Sequence, residues 1–206
     1  MARLTKKKDE EREEMSPRGS PRIATGASSS RAVRITISGP PGSGKSTVAG
    51  LLRDRLGFEV VSAGDIFRGM AKENKMTLEE FSHLAEKSWD IDIELDKRML
   101  ATINDSGSGI FEGRMTGYIC YLNDIEALKI HISAPTNIRQ RRVMKRESKD
   151  HDTVLKEMRE REASERKRYN SIYGYDLGDL AIYDLVIDSS TQKPAEIAAS
   201  ILAKLE

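Results

Sequence analysis

Residues Gly39-Pro40-Pro41-Gly42-Ser43-Gly44-Lys45-Ser46 spell G-x-x-x-x-G-K-S. Glycines at that spacing let the backbone take positive φ and turn successive N–H groups toward one centre, a concave nest for an anion. Lys45 closes such a nest from above, and the Ser46 hydroxyl is placed to hold a divalent metal. The flanks fit: the β-branched run Val33-Arg34-Ile35-Thr36-Ile37 precedes the loop, and Thr47-Val48-Ala49-Gly50-Leu51-Leu52 follows it as a helix start. Strand, glycine turn and helix N-terminus in that order predict binding of a nucleoside triphosphate, with contacts from Gly39 through Thr47 and Mg²⁺ beside Ser46.

Transfer of a phosphoryl group asks a protein to bring polyanions together, neutralise the charge that develops and keep water out. Arginines suit the task, because their guanidinium forks grip phosphate bidentately and stay charged. Arg139, Arg142 and Arg146 follow Ala134-Pro135 at i, i+3 and i+7, one face of a helix. Arg161, Glu165 and Arg168 fall at i, i+4 and i+7, again one stripe. There, Arg161 with Glu165 and Glu162 with Arg166 are also i, i+4 pairs that any solvated helix uses, so the pattern alone leaves both readings open. Glu112-Gly113-Arg114 ends a buried strand in acid, glycine and base. That brings a carboxylate beside the loop, where it could hold a water bound to Mg²⁺, and an arginine just beyond. Ser62-Ala63-Gly64-Asp65-Ile66-Phe67-Arg68 leaves another strand and puts Arg68 one turn into a helix; alone it specifies no ligand.

These residues need a scaffold. Apolar β-branched runs at 33–38, 58–62, 108–112, 128–133 and 183–188 alternate with helical patterns at 45–56, 65–74, 77–88, 91–103, 136–148, 151–172 and 194–205. That alternation predicts an α/β fold with a parallel sheet wrapped by crossover helices. Thr77-x-x-Glu80 reads as a capping box and Pro194 as a first helical residue. Residues 63–107 and 139–180 are longer than a crossover requires and should lie at the carboxyl ends of strands, where doubly wound sheets bind ligand. A second substrate site and a lid suit those positions.

The 206 residues carry 34 basic and 33 acidic side chains, a formal net charge of +1, so no global field favours nucleic acid or an anionic membrane. Aromatics make up 5 %, leaving little for bases of a nucleic acid to stack on. No apolar run approaches the roughly 20 residues that span a bilayer, and no apolar segment follows the N-terminal lysines. The single cysteine, Cys120, sits in an apolar context and reads as a small buried side chain in a reducing compartment. A cytoplasmic protein with no membrane or nucleic-acid partner is expected, and a monomer. Residues 1–31, with Lys6-Lys7-Lys8, an acidic run and a Ser/Pro/Gly stretch, read as a disordered, solvated tail; 32–206 form the folded domain. His83, His131 and His151 show no metal-ligand spacing. Trp89 reads as an anchor for the 63–107 segment rather than a platform for a base.

Gly39 to Ser46, Ser62 to Arg68, Glu112-Gly113-Arg114, Arg161 to Tyr169, Tyr173-Gly174-Tyr175-Asp176 and Ile182 to Asp188 together resemble the cytidylate kinases, most closely the short archaeal type, over about residues 32 to 205. The resemblance implies a three-layer P-loop fold with a five-stranded parallel sheet in the order 2-3-1-4-5. It places an acceptor-binding insertion at 63–107 and a lid at 139–172. It implies transfer of the γ-phosphoryl of ATP to CMP or dCMP, with Mg²⁺ required. By likeness, Arg68 and Arg114 bind the acceptor phosphate, Arg142 and Arg146 begin the lid over ATP, and Arg161, Glu165 and Arg168 contact the acceptor's ribose and phosphate. The segment of Ala63 and Asp65 belongs to the acceptor site. Three positions depart from related patterns. Met115 stands where bacterial members carry an acid that helps read cytosine. Ala63 stands where adenylate kinases carry Thr. Lys45 stands where archaeal relatives often have Thr. The same chemistry on AMP, UMP or a small alcohol such as shikimate or gluconate is the near alternative. An NTP-driven ATPase or switch with a macromolecular partner is the distant one.

Overall fold

The computed structural model describes residues 32–205. The expectations for 1–31 lie outside the described residues. Five strands, β1 (Arg34–Ser38), β2 (Val60–Ser62), β3 (Gly109–Gly113), β4 (Leu128–Ser133) and β5 (Leu185–Asp188), form one sheet in the order β2-β3-β1-β4-β5. Every pairing is parallel. The central strand is buried on both faces, with Ile35, Thr36, Ile37 and Ser38 fully inaccessible, as parallel sheets under helices on both sides require.

Eight helices complete the described residues: α1 (Lys45–Leu56), α2 (Ala63–Glu73), α3 (Leu78–Lys87), α4 (Trp89–Asp105), α5 (Thr116–Leu122), α6 (Thr136–Glu147), α7 (His151–Tyr173) and α8 (Pro194–Leu202). One core joins α1 and α8 to the sheet through Val48, Leu52, Ile197 and Ile201 against Ile35, Ile37, Ile110 and Ile132. On the opposite face Met99, Ile119, Cys120 and Tyr169 pack around Phe111, bringing α4, α5 and α7 to the sheet. Three layers result. The helices α2, α3 and α4 have a small core of their own, Met70, Ala71, Phe81 and Leu95. Val143, Val154 and Met158 hold α6 on α7.

Local signals set the helix ends. Thr77 and Glu80 form the expected capping box at α3, Pro194 opens α8, and Gly57 (φ 70°) closes α1 by donating its N–H to the Arg53 carbonyl. Helix α5 is the element that the periodicity did not announce. Its seven residues, TGYICYL, bury Thr116, Gly117, Ile119 and Cys120 and show no polar stripe. It is fixed by tertiary contacts: the Ser38 hydroxyl accepts the Gly117 N–H at 3.0 Å and lies 3.2 Å from the Thr116 hydroxyl. The strand expected from 183 begins only at Leu185, because Tyr183 closes a turn onto the Leu180 carbonyl and packs its ring against Gly117.

Candidate active site

The carboxyl ends of β1, β2 and β3 open into a cleft of about 1000 Å³ lined by the glycine loop, α2, α4 and α7. In the loop, Gly39, Gly42 and Gly44 take φ of 146°, 78° and 98°. Glycine is also needed for room. A Cβ on Gly39 would stand 2.1 Å from the Ile132 carbonyl oxygen, and one on Gly42 2.6 Å from that of Arg139. The loop is therefore wedged between β4 and the start of α6, with the amides at the N-terminus of α1 facing the cleft.

At the centre of the loop, Lys45 Nζ donates to the Pro40 carbonyl at 3.0 Å. Burial pushes the pKa of this amine down to about 8 against the pull of Glu112, and the Arg114 guanidinium adds to the fall. The Ser46 hydroxyl donates to Glu112 Oε1 at 2.9 Å, while Glu112 Oε2 is buried with no hydrogen-bond partner. Glu112 is placed by register, opposite Ile37 of β1 and Ser62 of β2. An orphaned carboxylate oxygen beside a hydroxyl at the mouth of an anion nest fits Mg²⁺, which takes few protein ligands and completes its shell with water and phosphate oxygens.

Three arginines expected on one face of α6 take three different positions. Arg139 is buried and donates to the carbonyls of Ala134 (2.9 Å) and Pro41 (3.2 Å), and to Glu162 of α7. Arg142 Nη1 donates to the Gly42 and Ser43 carbonyls, each at 3.3 Å, and its Nη2 to the Ser189 carbonyl at 2.7 Å. Both hold the loop in shape. Arg146 reaches the rim of the cleft and pairs with Glu147 at 2.6 Å. The Glu162–Arg166 pair suggested by spacing is replaced, since Glu162 turns inward to the buried Arg139.

Across the cleft, cations meet carboxylates. Glu165 is buried between Arg161, whose Nε donates to Oε1 at 2.8 Å, and Arg114, whose Nε lies 2.8 Å from Oε2. Burial alone would raise the Glu165 pKa, but Arg161 and Arg114 outweigh it and hold the carboxyl below its ordinary value. Arg168 Nε donates to Asp92 Oδ2 at 2.6 Å and Nη1 to the Ser164 hydroxyl. Arg68 pairs with Asp65 at 2.6 Å and is more than half exposed. Ala63 starts α2 against Gly113, where an added Cβ would come within 2.8 Å of its own. That contact keeps the ends of β2 and β3 together.

The structure thus brings most of the site residues singled out above to one cleft; Pro40, Asp65 and Arg139 stand off its lining, the first accepting the Lys45 amine, the second holding Arg68 and the third bracing the loop at Pro41. Trp89 neither anchors the insertion nor lines the cleft: its side chain is 51 % exposed. His83 and His151 are exposed beside Glu86 and Asp152. His131 packs its ring on Tyr183, and burial, aided by Arg114 and Lys45, lowers its pKa to about 4. Cys120 is buried as expected, its thiol pushed up to about 11 by burial.

Asp92, Asp96 and Ser189 line the cleft as well, outside every motif of the sequence. Ser189 carries its hydroxyl to 2.7 Å from the Ser43 carbonyl and ties the end of β5 to the loop. Asp92 and Asp96 sit on the apolar stripe of α4 with Leu95, Met99 and Ile103. Acids on a buried stripe are the signal that would have found them. Burial raises the pKa of both, that of Asp96 to about 7, although the Tyr173 hydroxyl donates to it at 2.8 Å.

Residues 34–191 match the model of the cytidylate kinase-like family. The chain is 48 % identical over 156 residues to a cytidylate kinase of Methanococcoides burtonii, covering 76 % of this chain and 87 % of that one. It is also 48 % identical over 157 residues to a cytidylate kinase of Methanocaldococcus jannaschii, 76 % of this chain and 88 % of that one. A solved shikimate kinase from Bacteroides thetaiotaomicron superposes with a TM-score of 0.54 at 14 % identity, over 84 % of this chain and 97 % of that one, and shares the fold.

Proposed function

The chain belongs to the cytidylate kinase-like family of kinases, and on that premise we propose that it transfers the γ-phosphoryl group of ATP to CMP or dCMP, giving ADP and CDP or dCDP. The observation that carries this reading is a shared cavity. Lys45, Ser46 and Glu112 line one cleft with Arg114, Arg161 and Arg168, and Arg114 and Arg161 stand close enough to act on the Lys45 amine. A polyanion at each end, facing across one gap, is what in-line transfer between two phosphates requires.

The acceptor phosphate is ionised at neutral pH, so its oxygen attacks the γ-phosphorus without a general base. Lys45 leaves the Pro40 carbonyl for the β and γ oxygens, and the loop amides hold the remaining charge. Ser46 and, through water, Glu112 would hold Mg²⁺, which supplies charge neutralisation on the phosphates. Arg68, Arg114 and Arg168 orient the acceptor phosphate, and Arg161 with Glu165 its ribose. Arg142 keeps the loop in shape and Arg146 stands at the rim toward ATP. Residues 139–172 act as a lid that excludes water, and 63–107 form the acceptor side. We read the enzyme as a cytoplasmic monomer needing neither nucleic acid nor membrane; no helix among the described residues is long and apolar enough to cross a bilayer.

A coupled assay of ADP release over CMP, dCMP, UMP, AMP, shikimate and gluconate tests the proposal. The highest kcat/KM is expected with CMP or dCMP. Preference for AMP or an alcohol would overturn the acceptor assignment, and ATP hydrolysis that needs no acceptor would overturn the kinase reading itself.

A further inference from the structure

We infer that Asp96 reads the exocyclic amine of the acceptor's pyrimidine, with the Tyr173 hydroxyl holding its carboxylate in place. This rests on the kinase reading above and adds the residue that selects the base.

The carboxylates on the cleft wall are otherwise committed. Glu165 is held by Arg161 and Arg114, Asp92 by Arg168, and Glu147 by Arg146. Glu86 lies beside His83, and Glu112 accepts from Ser46 at the metal site. Asp96 has no cation. Its Oδ2 accepts from a neutral phenol, Tyr173, at 2.8 Å, and among the described residues no donor reaches Oδ1. Oδ1 is accessible from the cleft and carries no protein donor, so an N–H of a ligand seated there has an anionic acceptor waiting for it on a largely buried acid.

The position suits the base. Asp92, which holds Arg168, precedes Asp96 by one turn of α4, about 6 Å along the axis. A nucleotide with its phosphate among the guanidiniums therefore runs along α4 and brings its base to Asp96. The wall there adds Met99, Met115 and Ile119, apolar surface for the ring faces. Met115 offers only a thioether, so it cannot read the polar edge.

The chemistry gives selectivity. In its ionised form, which predominates at pH 8, Asp96 only accepts, so it takes an N–H from the 4-amino group of cytosine and repels the 4-oxygen of uracil. A site built around such an N–H discriminates strongly against the analogue that lacks it. Tyr173 reinforces the choice, since burial and the neighbouring Asp96 raise its pKa and keep the hydroxyl a donor.

The test is the ratio of kcat/KM for CMP to that for UMP at pH 8, measured for the wild type, Asp96→Asn and Tyr173→Phe. A carboxamide presents a donor as readily as an acceptor. Asp96→Asn should therefore cut the ratio at least tenfold, through the KM of the acceptor, while the KM of ATP stays within about twofold. Tyr173→Phe, which keeps the carboxylate and frees its rotation, should lower the ratio less. An unchanged ratio in Asp96→Asn, with both substrates slowed alike, would overturn the inference and leave the kinase reading intact. A wild type that phosphorylates neither nucleotide would overturn both.

Discussion

At the glycine loop the cations meet backbone carbonyls: Lys45 on Pro40, Arg139 on Pro41, Arg142 on Gly42 and Ser43. Across the cleft they meet carboxylates: Arg114 and Arg161 on Glu165, Arg168 on Asp92, Arg68 on Asp65. The carbonyls carry only partial charge and no carboxylate contacts the Lys45 amine, although Glu112 pulls on it from nearby, so a triphosphate arriving there would gain a strong partner. The carboxylates neutralise their arginines beforehand, which fixes the guanidinium planes but lowers the net field that an acceptor meets. On the proposed function, the loop would supply affinity for a highly charged ligand and the paired arginines the orientation of a less charged one.

The largest expected effect falls at the loop. Lys45→Ala should lower kcat by about a thousandfold or more, beyond the loss of a single oxyanion donor, while acceptor binding in a dead-end titration changes little. Near-normal turnover would show that the amine is not part of the chemistry. At the opposite end, Arg168→Lys should cost about 2 to 4 kcal/mol in kcat/KM for the acceptor, because an ammonium cannot span Asp92 and a phosphate as the guanidinium fork does. The KM of ATP should stay within about twofold; an equal loss for both substrates would erase the division between the ends.

The smallest effect concerns protons. The unliganded Lys45 titrates near 8, below its ordinary 10.5, so at pH 8 about half of the amines are neutral. A triphosphate raises that pKa, and binding at pH 8 should take up as much as about half a proton, seen calorimetrically in buffers of different ionisation enthalpy. Uptake fades at pH 6.5, where the amine is already charged. Release of protons instead would contradict the depressed pKa.

The two ends also differ in how far they could be read from the chain. The loop is eight consecutive residues whose geometry follows from glycine and whose flanks show a strand and a helix, so its form was legible outright. The sheet was legible from a different signal: β1 (RITIS) and β4 (LKIHIS) set apolar residues, mostly isoleucine, at alternate positions, the period of a strand. At the acceptor end the residue types were visible but their partners were not. Asp92 and Arg168 are 76 positions apart, and Glu162 abandons its local neighbour for Arg139, 23 positions away. Helix α5 gives no periodic signal because it is only seven residues long and carries apolar side chains on its exposed positions, Tyr121 and Leu122, as well as its buried ones, so it has no polar stripe.

Arg139 touches the loop at Pro41 and, through Glu162, the helix that bears Glu165 and Arg168 on its following turns. That guanidinium ties the glycine turn to a 23-residue helix, so a displacement of the turn would pull on a rod whose other contacts lie along the cleft.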